Sequence, residues 1–236
     1  MLVGAIVAAA GSGTRLGLGS KALLQVGGRT CLARALDLFS GMAEVDRVVV
    51  VGPPDQLEST TSEVNSSRWG ASTILLPGGQ TRQQSVRVGL SALRDCDYVL
   101  VHDAARPLAT PDLARRVLAA TIEWGAAIPG LPPLDAVKRI DKAEVVESLD
   151  RRALVLAQTP QGFRREILEQ AHFQASDAGL VGDDDAQLVA AAGYSVVVVE
   201  GERRNLKLTR PEDLEIIEAI LGMRQARATE GGGHDG

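Results

Sequence analysis

The chain is poor in the residues that usually announce chemistry. Its 236 residues include two cysteines, three histidines and only 3% aromatics. Cys31 and Cys96 stand far apart, with neither CxxC nor Cys/His metal-ligand spacing. They read as buried, reduced thiols of a cytosolic protein and not as a disulfide framework or zinc site. No apolar run reaches the ~18–20 residues of a membrane span. The N-terminus enters strand-like sequence at once, without a basic n-region or cleavage site, so a cytoplasmic setting with no membrane partner is expected. A basic excess is also missing: the formal net charge is −5. Non-specific nucleic-acid binding needs a basic surface and is therefore not expected. Any polyphosphate ligand has to be drawn in by locally placed cations. There is no internal repeat.

What is present is aliphatic. Hydrophobic residues make up 45% of the chain, and with so few aromatics the core volume must come from Val, Leu, Ile and Ala. That composition suits a parallel sheet covered by helices, in one large α/β domain or two small ones. The apolar run from Leu2 to Ala10 reads as a buried parallel strand. It breaks into Gly11-Ser-Gly-Thr-Arg-Leu-Gly17, with Lys21 close behind. Asp46–Gly52, Ala71–Leu76, Tyr98–His102 and Ser195–Val199 read as further strands. Between and after them come helical patterns: one capped by Thr30 with the stripe Leu32, Ala35, Leu36 and Phe39, a polar one ending near Asn65, Gln84–Leu93, and one starting at Thr110-Pro111-Asp112. Two more span Arg164–Phe173 and Asp184–Ala192, and Thr209-Arg-Pro-Glu212 reads as a capping box for a helix through Leu221. The alternation predicts a βαβ architecture with a mainly parallel sheet. Ligands of such sheets sit beyond the carboxyl ends of the strands, where the loops after Ala10, Leu76 and His102 can converge. From Ala126 to about Gln158 the pattern changes to short strands (Ala126–Leu131, Val137–Ile140, then Val145–Leu149 with Leu154–Ala157 returning), an inserted β-arm. From Arg227 the apolar pattern is lost.

The glycine-rich loop matches neither common phosphate fingerprint. Walker A spacing is absent, and Leu16 stands where a dinucleotide loop needs glycine. Arg15 and Lys21 nevertheless add two cations that a structural turn does not need, and backbone N–H groups in such a loop can approach an anion. A close cation–phosphate pair is worth about 4 kcal/mol at 4 Å with an effective dielectric near 20. A triphosphate, with roughly four negative charges, calls for two or three cations and a divalent metal. Lys207 is a third candidate cation. Asp103, at a strand end, suits either an Mg²⁺ ligand or the cap of the following turn. Arg106 suits a phosphate of a second substrate or a local acid pair. His102 reads as packing, and Asp183-Asp184-Asp185 as helix capping, with a metal site as the alternative.

Ala8-Ala-Ala-Gly-Ser-Gly-Thr-Arg-Leu-Gly17 with Lys21 resembles the signature loop of nucleotidyltransferases that join a nucleoside triphosphate to a sugar or polyol phosphate. Gly78-Gly-Gln-Thr-Arg-Gln-Gln-Ser-Val86, Val101-His-Asp-Ala-Ala-Arg-Pro107, Gln158-Thr-Pro-Gln-Gly-Phe163, Asp184-Asp-Ala-Gln-Leu188 and Asn205-Leu-Lys-Leu-Thr-Arg-Pro-Glu-Asp-Leu214 follow in order. From about Val3 to Leu221 the chain thus resembles the 2-C-methyl-D-erythritol 4-phosphate cytidylyltransferases of the non-mevalonate isoprenoid pathway. The resemblance implies one Rossmann-like domain, residues 1–223, with helices on both faces of its sheet. It further implies a β-arm at about 133–158 through which the chain forms a homodimer, and leaves 224–236 as a flexible tail. The reaction implied is transfer of CMP from CTP to the polyol phosphate, with pyrophosphate leaving and Mg²⁺ or another divalent cation as cofactor.

By the same resemblance, Ala9, Ala10, Gly11 and Gly13 line the triphosphate and nucleoside, with Arg15 on the outer phosphates. Gly79 and Ser85 belong to the loop that recognises cytosine, and Ala104 helps hold the nucleoside. Asp103 matches the metal-associated aspartate, and Lys21 and Lys207 match the lysines at the α-phosphorus. Arg106, Arg151, Ala157 and Thr159 match polyol-phosphate contacts, Arg151 and Thr159 reaching across from a partner's arm. Three positions depart from the family's habit: Ser20-Lys21-Ala22, Asp135-Ala136, and Asp183-Asp-Asp-Ala-Gln187. The last two each lose a hydroxyl. A ribitol 5-phosphate cytidylyltransferase is the nearest rival, and a non-catalytic nucleotide-binding subunit the rival of another class.

Overall fold

Among the described residues, an eight-stranded main sheet, two small hairpins and the helices that cover the sheet follow from two interleaved periodicities. The computed structural model describes residues 1–11 and 20–231. The first apolar run forms β1 (Val3–Ala8). A short hairpin, β2 (Gln25–Val26) and β3 (Arg29–Thr30), turns at Gly27-Gly28, both at positive φ, where a Cβ would be strained. Thr30 ends the hairpin and caps α1 (Cys31–Ser40), its hydroxyl accepting the Ala33 N–H. Then come β4 (Arg47–Gly52), α2 (Leu57–Ser66), β5 (Thr73–Pro77), α3 (Arg82–Ser91), β6 (Tyr98–Asp103), α4 (Pro111–Trp124) and β7 (Ala126–Leu131). The arm hairpin is β8 (Lys138–Asp141) and β9 (Glu144–Ser148). After it lie β10 (Leu156–Ala157), β11 (Gln161–Arg164), α5 (Arg165–Asp177), α6 (Asp185–Ala191), β12 (Val197–Glu200) and α7 (Pro211–Gly231). Among the described residues no helix is long and apolar enough to cross a membrane.

β1 lies inside the sheet, parallel to β4 on one side and β6 on the other, and β5 extends the sheet beyond β4. Alternate residues of β1 face opposite cores. Val3, Ala5 and Val7 pack with Leu32, Leu36 and Phe39 of α1 and with Val117 and Leu118 of α4. Ile6 packs with Val86 and Leu90 of α3, Leu168 and Ala171 of α5, and Leu188 of α6. Helices therefore cover both faces, in an α/β fold with a mostly parallel sheet. The stripe expected on α1 is wholly buried. A third cluster joins Val26, Cys31, Leu108 and Leu208 to Ile217, Ile220 and Leu221 of α7.

Three elements differ from the sequence reading, and the expected arm hairpin forms on its own. Gln161–Arg164, read only as a motif, forms a strand antiparallel to both β6 and β7. Leu156–Ala157 does not return to the arm but pairs with β7 of the main sheet, because its partner strand offers an unpaired edge at Gly130 and Leu131. The last helix caps one residue later than expected: the Asp213 carboxylate, not Glu212, accepts the N–H groups of Thr209 and Arg210. It also continues past Leu221 to Gly231, the good helix formers Met223, Arg224, Gln225 and Ala226 carrying it through the unfavourable Gly222. The β8–β9 hairpin stands apart as its own two-stranded sheet, with Ile140, Val145 and Val146 more than half exposed.

Two glycines test this packing with one substitution of opposite sign. A Cβ on Gly162 in β11 would lie 2.1 Å from Thr121 Oγ1 of α4, whereas one on Gly222 in α7 would meet nothing within 4 Å. Gly162→Ala should lower unfolding free energy by about 1–3 kcal/mol through overpacking. Gly222→Ala should raise it by roughly 0.5–1 kcal/mol through helix propensity. Urea midpoints read both, and a neutral Gly162→Ala would contradict the close approach of α4 to β11.

Candidate active site

The parallel order of β5, β4, β1 and β6 brings their carboxyl ends to one edge of the sheet. There the backbone ladder continues past the strands: Ala9 N–H donates to Val51 O, Gly78 N–H to Gly52 O and Ala104 N–H to Ala8 O. A Cβ on Gly78 would fall 2.3 Å from the Ala10 Cβ, so only glycine lets these two loops touch. The result is a cleft of about 410 Å³ with a floor of small residues. Ala9, Ala10, Gly11 and Lys21 line it from the first loop, Gly79, Arg82 and Ser85 from the loop and first turn after β5, Asp103 and Ala104 from the end of β6, and Lys207 from the segment after β12. Sequence reasoning anticipated all of these except Arg82. Gly13 and Arg15 lie outside the described residues.

Asp103 is the electrostatic centre. It is 6% exposed, and its two carboxylate oxygens accept from different cations: Oδ1 from Arg82 Nε at 2.9 Å, Oδ2 from Lys207 Nζ at 2.7 Å. Arg82 Nη1 donates to Asp185 Oδ2 at 2.7 Å, and the other Asp185 oxygen is 2.9 Å from His172 Nε2. Burial alone would raise the pKa of Asp103, but Arg82 and Lys207 outweigh it and hold the carboxyl far below its usual range. Asp185 is likewise lowered against its burial, chiefly by Arg82. Arg82 is raised although burial alone would lower it, because Asp185 and Asp103 flank it. Removing one member would strand a buried charge, at a cost of about 3–5 kcal/mol.

The sequence held a signal for Arg82. It occupies the first position of α3, where the positive end of the helix dipole disfavours a cation unless carboxylates compensate. The acidic triplet divides its labour. Asp184 caps α6 by accepting the Gln187 N–H, as expected of the whole triplet, while Asp185 is fully buried as Arg82's second partner.

Behind Asp103 runs a neutral chain. His102 Nε2–H donates to Arg106 O at 3.3 Å, Nδ1 accepts from the Thr159 hydroxyl at 3.0 Å, and that oxygen accepts the Asp103 N–H at 3.1 Å. Thr159 is 4% exposed beneath its own chain's Asp103, which corrects the expectation that it reaches across from a partner. β11 runs antiparallel to β6, so the residues that enter it must pass beside the end of β6. Arg106 is also turned inward, donating to Asn205 O at 2.8 Å and Ala157 O at 3.3 Å. These bonds tie the Asp103 loop to the Lys207 segment, as does Leu208 N–H to Ala105 O at 2.8 Å. Ala157 therefore meets Arg106 through its carbonyl, and neither it nor Thr159 lines the cleft. Arg151 stands exposed at the arm's return, donating to Leu134 O.

Among the described residues no group of three or more His, Cys, Asp or Glu side chains gathers to hold a metal. Of those residues, Asp103 is the one carboxylate lining the cleft. With each oxygen already accepting one charged bond, it retains about one lone-pair site on each for a further ligand. That donor set fits an ion whose other ligands are substrate phosphates and water, the usual habit of Mg²⁺.

The folded protein should lose stability in acid. His102 is fully buried and its pKa is pushed down from 6.5 to about 4 by burial. Between those values the unfolded chain binds a proton that the folded chain refuses, so stability falls as pH falls through this window. The lowered Asp103 and Asp185 add a loss below their ordinary value of 3.8. Urea unfolding at pH 7 and pH 4.5 should differ by about 2–3 kcal/mol on account of His102; equal stabilities would overturn this account of the ring.

With the geometry in place, the chain can be set beside known proteins. Residues 3–223 match the profile of the family described as 2-C-methyl-D-erythritol 4-phosphate cytidylyltransferase. The chain is 40% identical to the protein of that name from Geobacillus thermodenitrificans, over 94% of this chain and 98% of the relative. It is similar to the crystal structure of the enzyme of that name from Thermus thermophilus, with a TM-score of 0.78, 40% identity, and coverage of 93% of this chain and 98% of the other. The 4-diphosphocytidyl-2C-methyl-D-erythritol synthase of Anaerococcus prevotii superposes with a TM-score of 0.83 at 30% identity, covering 94% of this chain and 98% of the other.

Proposed function

The chain belongs to the 2-C-methyl-D-erythritol 4-phosphate cytidylyltransferase family, and from that premise we propose that it transfers CMP from CTP to 2-C-methyl-D-erythritol 4-phosphate. The products are 4-(cytidine 5′-diphospho)-2-C-methyl-D-erythritol and pyrophosphate, on the route to isoprenoid precursors. The observation that carries this reading is the cleft itself, where Lys21 and Lys207 line one cavity with the backbone of Ala9–Gly11 and Gly79.

The reaction is an in-line displacement: a phosphate oxygen of the polyol phosphate attacks the α-phosphorus of CTP, and the bond to the pyrophosphate oxygen breaks. The attacking oxygen is already ionised at neutral pH, so no general base is required. Catalysis falls to positioning and to stabilising charge on the α-phosphoryl oxygens. Lys21 and Lys207 supply that charge, and the Asp103 carboxylate fixes Lys207 in place. The backbone of Gly79 and the loop braced by Ser85 bind the cytosine. Mg²⁺ or another divalent cation, held by Asp103 and the phosphates, would neutralise the triphosphate.

The working form is a cytoplasmic homodimer. Ile140, Val145 and Val146 leave the arm's apolar residues uncovered, as expected of a segment that packs on a second protomer. Arg151 of that arm then binds the polyol phosphate in the other protomer's cleft. Ala136 offers it no hydroxyl there, a deficit of about 0.5–1.5 kcal/mol for one hydrogen bond.

Pyrophosphate release from CTP with magnesium and a panel of polyol phosphates tests the activity. 2-C-Methyl-D-erythritol 4-phosphate should be the best acceptor. Preference for ribitol 5-phosphate would select the rival cytidylyltransferase, and binding of CTP without release would select a binding subunit. Lys21→Ala and Lys207→Ala should each lower kcat by roughly two to three decades, as for removal of one transition-state donor; near-normal turnover would remove them from their roles. Arg151→Ala should raise the KM of the polyol phosphate more than that of CTP, and equal effects on both would argue against the arm as a substrate clamp.

A further inference from the structure

His172 and Asp185 lie outside the cleft lining, yet both are built as parts of a site. His172 is 2% exposed and Asp185 fully buried, on α5 and α6 respectively. Burying ionisable groups without function is costly. Asp185 sits in the first turn of α6, where the helix dipole favours an anion. Its oxygens are used separately, Oδ2 by Arg82 and Oδ1 by His172. An ionised carboxylate only accepts, so His172 Nε2 carries the donated proton.

The next link repeats the pattern. Arg82 uses Nη1 for Asp185 and Nε for Asp103, and Asp103 uses its second oxygen for Lys207. The sequence of contacts His172–Asp185–Arg82–Asp103–Lys207 therefore spans α5, α6, α3, the end of β6 and the Lys207 segment, with a fresh atom at every junction. Lys207 needs such support, because its side chain is 44% exposed and an unsupported lysine explores many rotamers. Asp103 alone would fix the position of Lys207 only as well as Asp103 is itself fixed. A carboxylate gripped at one oxygen can rotate; one gripped at both keeps its plane. Arg82 is held in the same way, by carboxylates on two of its nitrogens.

We propose that His172 and Asp185 are positioning residues for the transfer reaction, setting the plane of Arg82 and thereby the Asp103–Lys207 pair against the reacting phosphorus. The inference rests on the cytidylyltransferase reading for its kinetic arm only. A positioning defect far from the chemistry acts on the transition state more than on ground-state binding.

The test compares His172→Leu, which removes the donor, with His172→Gln, which keeps an N–H at the reach of Nε2, and Asp185→Asn, which keeps shape but removes charge. His172→Leu should lower kcat by about ten- to a hundredfold with the KM for CTP little changed. His172→Gln should recover most of that loss, and Asp185→Asn should lose at least as much as His172→Leu. Independently of turnover, the Arg82 Nε–H signal in ¹⁵N NMR should be exchange-protected in the parent protein and in His172→Gln, and exposed in His172→Leu and Asp185→Asn. Unchanged kcat in His172→Leu, equal losses in the Leu and Gln variants, or an Arg82 signal indifferent to all three substitutions would overturn the proposal. If His172→Leu fails to fold, Asp185→Asn against its parent decides by the same two readouts. If the parent protein releases no pyrophosphate, the functional reading fails, and the Arg82 signal alone decides whether the contacts position it.

Discussion

Asp103 places a negative charge where water scarcely reaches, and keeping that charge paired organises the surrounding structure. Two cations are needed because two oxygens are buried, and they come from opposite directions: Arg82 from the helix after β5, Lys207 from the segment after β12. Arg82 in turn sits at a helix end that repels it, which requires the second carboxylate of Asp185. Each unfavourable placement is compensated by the next, and the cluster closes with its buried charges matched. The charges that face the cleft are thus held by partners, not by side-chain stiffness.

Backbone geometry does the complementary work. A parallel sheet delivers several strand ends to one edge, and small residues there leave main-chain groups bare to a ligand. Gly78 permits two loops to touch where a methyl group would collide with Ala10. The antiparallel β11 adds what parallel strands cannot: its entry passes directly behind the end of β6. That is why the Thr159 hydroxyl lies under Asp103 and completes the hydrogen-bond chain with His102. A cleft with a fixed floor and fixed charges suits chemistry in which the nucleophile needs no activation and positioning carries the rate.

The arm follows a different logic. Among the described residues its strands pair only with each other and leave Ile140, Val145 and Val146 exposed, so the hairpin gains little from the rest of its own chain. Such a two-stranded ribbon is marginal in isolation.

Much of this was legible in the chain. The unbroken apolar run of β1, the Thr caps of α1 and α4 and the stripe Leu32, Ala35, Leu36 and Phe39 are local patterns, and they fold as written. Asp103 was also legible as a site candidate, because a carboxylate at the end of a buried strand stands at the sheet edge, whereas Lys21 and Lys207 were legible chiefly through the motifs that carry them. By contrast, the partner of each charge was not legible. Arg82, Asp185 and His172 come together from three helices whose spacing is a tertiary fact, and Thr159 moved from an expected partner contact to its own subunit's interior because β11 reverses direction. Periodicity and capping are set by neighbours along the chain, so the sequence by itself determined the elements and the edge where the site lies. Pairing of buried charges depends on distances between residues about a hundred positions apart, and only the packed sheet and helices decided those.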